Sequence, residues 1–273
     1  MKKILLLLLI FFAQNLFAQE DFTYGDFNYT INENNEITIT KYNGYSSSVD
    51  IPSVINGKIV TAIGDGAFWE CNSLTSITIP NSVTTIGESA FYDCDSLTSV
   101  TIPNSVTTIG SNAFFACDSL ASITIPNSVT TIGNSAFFAC DSLTSITIPN
   151  SVTTIGSEAF SCCYSLTSII IPNSVTTLGS NAFFACNSLT SIIIPNSVKT
   201  IGDGAFDSCY SLTSITIPDS VTTIGKSAFY DCYSLTIQCN SGSYAEKYCK
   251  KNNIKYLITP DGLELGNYKE KDL

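Results

Sequence analysis

The stretch of sequence that decides the fold is residues 74–96, LTSITIPNSVTTIGESAFYDCDS, because the same pattern returns every 23 residues. The period is clearest in one series of cysteines: Cys71, Cys94, Cys117, Cys140, Cys163, Cys186, Cys209 and Cys232. A phenylalanine precedes each of them by three residues, and a leucine follows each by three. Self-similarity at a fixed period of roughly 20 to 50 residues predicts a repeat architecture. Seven full units cover residues 63–223, and an eighth is cut short after Leu235.

Within one unit, the apolar positions predict a single coil of a solenoid. Ile77 and Ile79 point to one face of an extended segment, while their neighbours point to the other face. Pro80 ends this strand because it cannot donate a hydrogen bond to a ladder. Gly87 allows a backbone turn that a β-carbon would resist. One coil cannot bury its own apolar edge, so we expect stability to come from the stacking of identical coils.

The pattern L-x-x-I-x-I-P-x-x-V-x-x-I-G-x-x-A-F-x-x-C-x-S resembles the BspA-type class of leucine-rich repeats, and it covers about two thirds of the chain. The resemblance implies a solenoid of short parallel β-strands with irregular or 3-10 return segments. It also implies a surface or secreted protein of the kind associated with attachment to host cells, extracellular-matrix proteins or other microbes. The Asn ladder of ordinary leucine-rich repeats does not carry over, because Pro80 intrudes and Asn81 is displaced.

The sequence pattern divides the chain into five segments. We predict a signal peptide at 1–18, an N-terminal cap with a first irregular repeat at 19–62, the solenoid at 63–240, a C-terminal cap at 241–258 and a polar tail at 259–273. Residues 27–31 and 37–40 alternate with period two across Asn34-Asn35, which predicts a β-hairpin over the first open end. Ser243 and Glu246 have the spacing of a capping box, which predicts a short helix over the other end.

The N-terminus predicts export. Lys2 and Lys3 precede an apolar run from Ile4 to Phe12, and small residues lead to a cleavage site after Ala18. The run is shorter than the roughly 20 apolar residues that a bilayer span requires. We therefore expect a protein that is secreted or at the cell surface and has no transmembrane segment.

Composition excludes several functions. The 12 basic residues are all lysines, the formal net charge is −11, and the chain has no histidine. An acidic chain lacks the positive charge with which nucleic-acid binders neutralise phosphates, so we expect no nucleic-acid partner. Without histidine the chain has no Ser-His-Asp or Cys-His catalysis and no histidine-containing zinc site. Without arginine it lacks the bidentate group that commonly recognises phosphate and carboxylate.

Eleven cysteines in an exported chain would ordinarily indicate a disulfide framework. Their regular spacing favours a ladder of buried free thiols, since cysteine is readily buried as a small apolar residue. Disulfides within the ladder are the alternative, because stacked neighbours are close enough to bond. Cys239 and Cys249 lie outside the ladder and could staple the C-terminal cap. We expect no metal site, because the chain has no C-x-x-C pair.

We expect no enzyme, no catalytic residue and no cofactor. Asp95, Asp118 and Asp141 fall one per coil directly after a ladder cysteine, so a solvated turn is the favoured interpretation and weak calcium binding the alternative. The serines are repeated copies that have no accompanying base. The chain also lacks the glycine-rich phosphate-binding motifs and the G-x-S-x-G nucleophile motif.

Two surface rows are candidates for binding. On the strand face, Ile170 and Ile193 stand where most other coils carry threonine, amid serine and threonine hydroxyls that could simply satisfy one another. The second is the aromatic row, whose members each follow a core phenylalanine: Trp69, Tyr92, Phe115, Phe138, Phe184 and Tyr230. These rings could form an exposed binding strip or pack between coils. Ser161 and Asp207 interrupt the row.

Together these features predict an exported, non-enzymatic module with a protein partner, such as a host or extracellular-matrix protein. A structural scaffold of the cell envelope without a single partner is the alternative hypothesis. Binding to an ordered surface such as a polysaccharide or ice is a third, since the hydroxyl rows recur at a fixed spacing.

Overall fold

The protein is described by a computed structural model over residues 20–259, so the predicted signal peptide and all but the first residue of the predicted tail lie outside the described residues. The repeats form a β-solenoid in which each coil supplies two short strands. Strands of the first column are Ser48–Asp50, Ser76–Thr78, Ser99–Thr101, Ser122–Thr124, Ser145–Thr147, Ser168–Ile170, Ser191–Ile193, Ser214–Thr216, Thr236–Cys239 and Tyr256–Ile258. Strands of the second column are Lys58–Ile63, Thr85–Ile86, Thr108–Ile109, Thr131–Ile132, Thr154–Ile155, Thr177–Leu178, Thr200–Ile201 and Thr223–Ile224.

Neighbouring coils pair in parallel with equivalent residues opposite each other, as Thr85 with Thr108 and Ile86 with Ile109. The second column is hydrogen-bonded without a break from the first coil to the last. The first column is interrupted twice, between Ser122–Thr124 and Ser145–Thr147 and again between Ser168–Ile170 and Ser191–Ile193. The predicted fold class, a leucine-rich-repeat-like solenoid, is confirmed.

The return segments are more regular than the sequence indicated. Besides the second column, the stretch around each core phenylalanine forms a third ladder to the next coil. The Phe68 N–H donates to the Ala90 carbonyl and the Glu70 N–H to the Tyr92 carbonyl, both at 2.8 Å. Turn bonds such as Trp69 N–H to Gly66 O, at 3.0 Å, close the coil. Because each coil repeats the same conformation, its buried backbone groups find partners one coil away.

The core is a column of stacked side chains. Seven of the eight repeat phenylalanines, Phe68 to Phe206, are fully buried, and successive ring centroids lie 5.1 to 5.6 Å apart. The predicted inward residues Leu74, Ile77 and Ile79 are also buried. Burial of this apolar surface is the main driving force for stacking the coils.

The eight repeat cysteines form a ladder of free thiols, so the alternative of disulfides within the ladder is wrong. Each thiol after the first donates to the carbonyl of the phenylalanine 26 residues earlier, as Cys94 Sγ does to Phe68 O at 3.1 Å. Burial raises the pKa of the Cys117 thiol to about 12. Cys239 and Cys249 are buried free thiols as well, so the proposed staple is not formed.

One glycine column fixes how closely the coils approach. A β-carbon on Gly110 would lie 2.6 Å from the carbonyl carbon of Gly87, and one on Gly133 would lie 2.5 Å from the backbone nitrogen of Ser111. Glycine is required here by the close approach of two backbones. The left-handed positions of each coil lie elsewhere and are filled mostly by other residues, such as Ser135 (φ 52°) and Ala139 (φ 53°).

Both ends are capped, as predicted. The strands Phe27–Ile31 and Ile37–Tyr42 form an antiparallel hairpin, extended by Phe22–Tyr24, and Ile37–Tyr42 continues in parallel onto Lys58–Ile63. Lys58–Ile63 also pairs antiparallel with Val54–Ile55.

At the other end lies a helix, α1 (Tyr244–Asn252). Its N-cap Ser243 accepts from the Glu246 N–H at 3.1 Å, and Glu246 accepts in turn from the Gly242 N–H at 2.7 Å. The last strand, Tyr256–Ile258, then pairs with Thr236–Cys239. Within residues 20–259, no helix has the length and apolar character needed to cross a membrane.

Candidate binding surface

Four members of the aromatic row form a continuous stack along one edge of the solenoid. Ring centroids lie 4.4 Å apart between Trp69 and Tyr92, and 4.6 Å apart between Tyr92 and Phe115 and between Phe115 and Phe138. The ring planes are within 22°, 4° and 2° of parallel. Trp69 is half exposed, whereas the other three rings are partly buried against their neighbours. We call Trp69, Tyr92, Phe115 and Phe138 the aromatic stack.

The structure does not bring the other two members of the row into this stack. Ser161 is buried and Asp207 is partly buried, and they occupy the positions that would connect the rings. Phe184 is therefore partly buried without a ring in the coil on either side, and Tyr230 is 61% exposed. The rings of Tyr92, Phe115 and Phe138 are partly buried against their neighbours, whereas Trp69 and Tyr230 face solvent.

A cavity of about 380 Å³ opens beside the first ring of the stack. It forms where the loop after the N-terminal hairpin meets the first coil, and its lining is Lys41, Tyr42, Asn43, Gly44, Tyr45, Ser46, Trp69, Glu70, Cys71, Asn72, Ser73 and Leu74. Tyr45 is 89% exposed, and the Trp69 indole N–H donates to Glu70 Oε1 at 3.0 Å. Sequence reasoning missed this cavity, because it lies outside the repeat pattern.

The half-buried thiol of Cys71 faces this cavity at the N-terminal end of the thiol ladder. Burial raises the pKa of Cys71, and the nearby Lys41 ammonium opposes that shift. The thiol is therefore held mainly in its protonated form, which is a poor nucleophile. The cavity combines aromatic rings, amide and hydroxyl groups and one charge of each sign, which suits recognition rather than covalent chemistry.

Carboxylates lie along the same edge, directly after the ladder cysteines of the first half. Burial raises the pKa of Asp118, and the charges of Asp141, Asp95 and Asp93 raise it further. No lysine occurs between Lys58 and Lys199 to neutralise this edge. In the part of the chain that the structure describes, no group of three or more His, Cys, Asp or Glu side chains could hold a metal ion.

From the fifth coil onward, the position after the ladder cysteine carries Tyr164, Asn187, Tyr210 and Tyr233 instead. The three tyrosines are exposed, and the rings of Tyr210 and Tyr233 stack with centroids 6.1 Å apart. The edge thus changes from acidic to aromatic along the molecule.

On the strand face, Ile170 and Ile193 occupy adjacent coils and are 63% and 53% exposed. Their strands are the two that flank the second interruption of the first column. Elsewhere hydroxyls of this face bond across coils, as Ser76 Oγ does to Ser48 Oγ at 3.0 Å and Thr98 Oγ1 to the Thr75 carbonyl at 3.1 Å. The two isoleucines therefore form a small apolar patch on a polar sheet.

The fold and the surface define a leucine-rich-repeat type of β-solenoid. The sequence-family model of the BspA type leucine-rich repeat region matches residues 38–164, 107–236 and 153–267, which together span most of the chain. The chain belongs to the BspA type leucine-rich repeat family. Proteins of this family are typically cell-surface or secreted repeat proteins that bind other proteins and are generally not enzymes. No curated protein sequence matches the chain.

Solved structures of bacterial repeat proteins resemble this one. A leucine-rich repeat protein of T. pallidum is 28% identical, with 88% of this chain and 99% of that chain covered and a TM-score of 0.60. A leucine-rich cell surface protein of Faecalibacterium prausnitzii is 27% identical over 85% of this chain and 97% of that one, with a TM-score of 0.33. The pneumococcal vaccine antigen PcpA is 16% identical over 89% of this chain and 99% of that one, with a TM-score of 0.43.

Proposed function

We propose that this protein is an exported, non-enzymatic module that attaches to a protein partner, such as a host or extracellular-matrix protein or a protein of another cell. The observation that carries the proposal is the aromatic stack, which ends at the half-exposed Trp69 beside a cavity of about 380 Å³. Protein interfaces are enriched in aromatic residues at their centres. A rigid row of rings loses little conformational entropy on binding.

The shape of the surface suits an extended partner. Coils of nearly identical sequence present the same groups at a regular spacing, so contacts of modest strength add along the edge. Asp95, Asp118 and Asp141 each follow a ring of the stack by three residues, and a partner with a basic surface complements their carboxylates. Export is supported by the apolar N-terminal segment and by the usual location of the family.

The test is attachment of the protein to immobilised extracellular-matrix proteins and to whole cells. A variant with Trp69→Ala and Phe115→Ser changes the stack, and a variant with Phe184→Ser removes an equivalent ring that lies outside it. We expect the first variant to lose attachment by at least tenfold in apparent affinity, which is about 1.4 kcal/mol. The second should attach like the parent.

A third variant, Ile170→Thr with Ile193→Thr, gives the strand face the residue that most other coils carry there. Loss of attachment in this variant alone would move the site to the strand face. Failure of the parent protein to bind any cell or matrix protein would favour a structural scaffold without a single partner. Circular dichroism of each variant shows whether the fold is intact.

A further inference from the structure

The positive charge of this acidic protein is concentrated near its C-terminal end. Residues 59–198 contain eight acidic residues and no lysine, whereas residues 199–259 contain six lysines and five acidic residues. Three of these lysines, Lys226, Lys247 and Lys251, line one cavity of about 260 Å³ between the last coil and helix α1. The remainder of its lining is Ile224, Gly225, Tyr244, Tyr248 and Asn252.

Two elements build this cavity. Tyr244, Lys247, Tyr248 and Lys251 are three or four residues apart on α1, so they share one face of the helix. Lys226 comes from the last coil, and the Tyr248 hydroxyl donates to the Gly225 carbonyl at 3.3 Å, which ties the helix to that coil. The cavity therefore exists only because the cap packs on the solenoid.

The three ammonium groups are available to a ligand. Within residues 20–259, the one ion pair joins Lys250 to Glu246 at 2.6 Å, and Lys250 does not line the cavity. Asp203 is the acid beside the site, since its carboxylate accepts from the Lys226 backbone N–H at 2.7 Å. The charge of Lys247 also acts on Glu246, but that carboxylate is paired with Lys250, so the three ammonium groups leave the cavity cationic.

We propose that this cavity binds a sulfated saccharide. Sulfate oxygens accept hydrogen bonds from ammonium groups, and lysine serves here as a point charge because the chain has no arginine. Tyr244 is 42% exposed at the cavity, which offers a ring face for the apolar side of a sugar.

Asn252 supplies an amide for a sugar hydroxyl. Its Nδ2 donates to the Tyr248 carbonyl at 2.8 Å, which leaves Oδ1 as an acceptor. The cavity is slightly smaller than the roughly 300 to 1,000 Å³ of pockets for drug-sized ligands, so it accepts one sugar ring with its anionic group.

The acidic body of the solenoid selects among anionic ligands. A nucleic acid has a charge on every residue, and a duplex lying along the molecule would meet the carboxylates of the first half. A saccharide held at the end of the solenoid can extend away from them. The site is separate from the aromatic stack, so this proposal does not depend on the proposed attachment function.

The test is a titration of the protein with a sulfated heparin tetrasaccharide, in which isothermal titration calorimetry measures the affinity. Desulfated tetrasaccharide, inorganic sulfate, inorganic phosphate and a single-stranded DNA of equal charge are titrated alongside. We expect the sulfated tetrasaccharide to bind most tightly, with an affinity that falls as salt is added. Equal binding of the DNA or of the desulfated sugar would overturn the proposal, as would no binding of the sulfated sugar.

Matched variants locate the site. Lys247→Gln with Lys251→Gln removes two charges from the cavity, and Lys199→Gln with Lys255→Gln removes two charges outside it. We expect at least a tenfold weaker Kd for the first pair and less than a twofold change for the second. Tyr244→Phe should keep the affinity and Tyr244→Ala should lower it. Equal losses for both lysine pairs would show a general charge effect and overturn the assigned site.

Discussion

The two halves of the solenoid share one interior and differ along their edge. In the first half, residues 63–141, the aromatic stack is continuous and the ladder cysteines from Cys94 to Cys140 are followed by aspartates. In the second half, residues 155–240, Ser161 and Asp207 break the aromatic row, and tyrosines follow most of the ladder cysteines. The core ring separations are nevertheless 5.1 to 5.5 Å in the first half and 5.3 to 5.6 Å in the second.

This comparison separates what builds the fold from what varies on it. Inward positions determine how coils stack, so their residues recur with little change. Outward positions carry different chemistry without altering the stacking. Each half of the edge is therefore a distinct surface on a common frame.

The largest expected effect tests whether the two interiors are equivalent. Phe114→Ala and Phe206→Ala each remove a fully buried ring from the column, one in each half. We expect each to lower the free energy of unfolding by about 3–5 kcal/mol, through lost burial and the cavity left behind. Urea denaturation followed by circular dichroism measures the loss. A lower free energy of unfolding in only one of the two variants would show that the interiors of the two halves are not equivalent.

Alkaline pH probes the thiol ladder of both halves. Burial raises the pKa of Cys117 to about 12 from 9.0, and it raises the pKa of Cys209 as well. A raised folded-state pKa stabilises the protein below pH 9, and this stability is lost as the pH rises toward the folded value. At pH 10.5 the Cys117 thiol alone lowers the free energy of unfolding by about 2 kcal/mol relative to neutral pH, because the thiol ionises in the unfolded state but not in the folded state.

The matched variants are Cys117→Ala and Cys209→Ala, one in each half. Each should flatten the decline in the free energy of unfolding between pH 7.5 and pH 10.5 by about 2 kcal/mol. Urea unfolding with a reductant present measures it. A decline as steep as that of the parent would contradict burial of the substituted thiol.

The aromatic row should distinguish the halves. Phe115 stacks on Tyr92 and Phe138 at 4.6 Å on either side, whereas the coils beside Phe184 carry Ser161 and Asp207. Phe115→Ala should therefore lower the free energy of unfolding by about 0.5–1.5 kcal/mol more than Phe184→Ala does. Thermal and urea unfolding of the two variants give this difference. Equal losses would show that ring stacking adds nothing beyond burial.

The smallest expected effect concerns the acidic edge. Burial and neighbouring carboxylates raise the pKa of Asp118, so its charged form is disfavoured in the folded state. Asp118→Asn should raise the free energy of unfolding by about 0.5 kcal/mol at pH 7 and low salt. The part of the gain that comes from the neighbouring carboxylates should be lost at high salt, and the whole gain should vanish below the ordinary pKa, where the parent is protonated in both states.

The second half supplies the control, Asp207→Asn. Its carboxylate accepts from Ser208 Oγ at 2.8 Å, so removing the charge weakens a favourable contact. We expect no gain in the free energy of unfolding for this variant. Stabilisation of both variants alike would indicate a general effect of net charge rather than of the acidic edge.

The sequence predicted the inward positions of the coils and the hairpin at the N-terminal end. The period of 23 residues identified the inward positions, and alternation at 27–31 and 37–40 identified the hairpin. The second column of strands was missed, because Thr85–Ile86 and its equivalents are only two residues long and show no alternation. Left-handed positions such as Ala139 carry no glycine to indicate them.

The candidate sites were predicted less completely. The aromatic row was identified, but only the folded structure shows that four of its rings are continuous and two are separate. Both cavities lie where a cap meets a terminal coil, at Trp69 and at Lys226. Repeat periodicity contains no information about such junctions, since each occurs once.

The caps have a consequence for how separate molecules can meet. Coils of the solenoid are related by a regular translation, so the front of each coil is complementary to the back of every other coil. Such a head-to-tail contact never closes on itself and generates filaments when it joins separate molecules. The hairpin strand Ile37–Tyr42 lies over the first strand of the second column, and the helix Tyr244–Asn252 packs on Thr223–Ile224 and Thr236–Cys239 at the other end. We therefore expect the two caps to limit head-to-tail stacking of one molecule on the next.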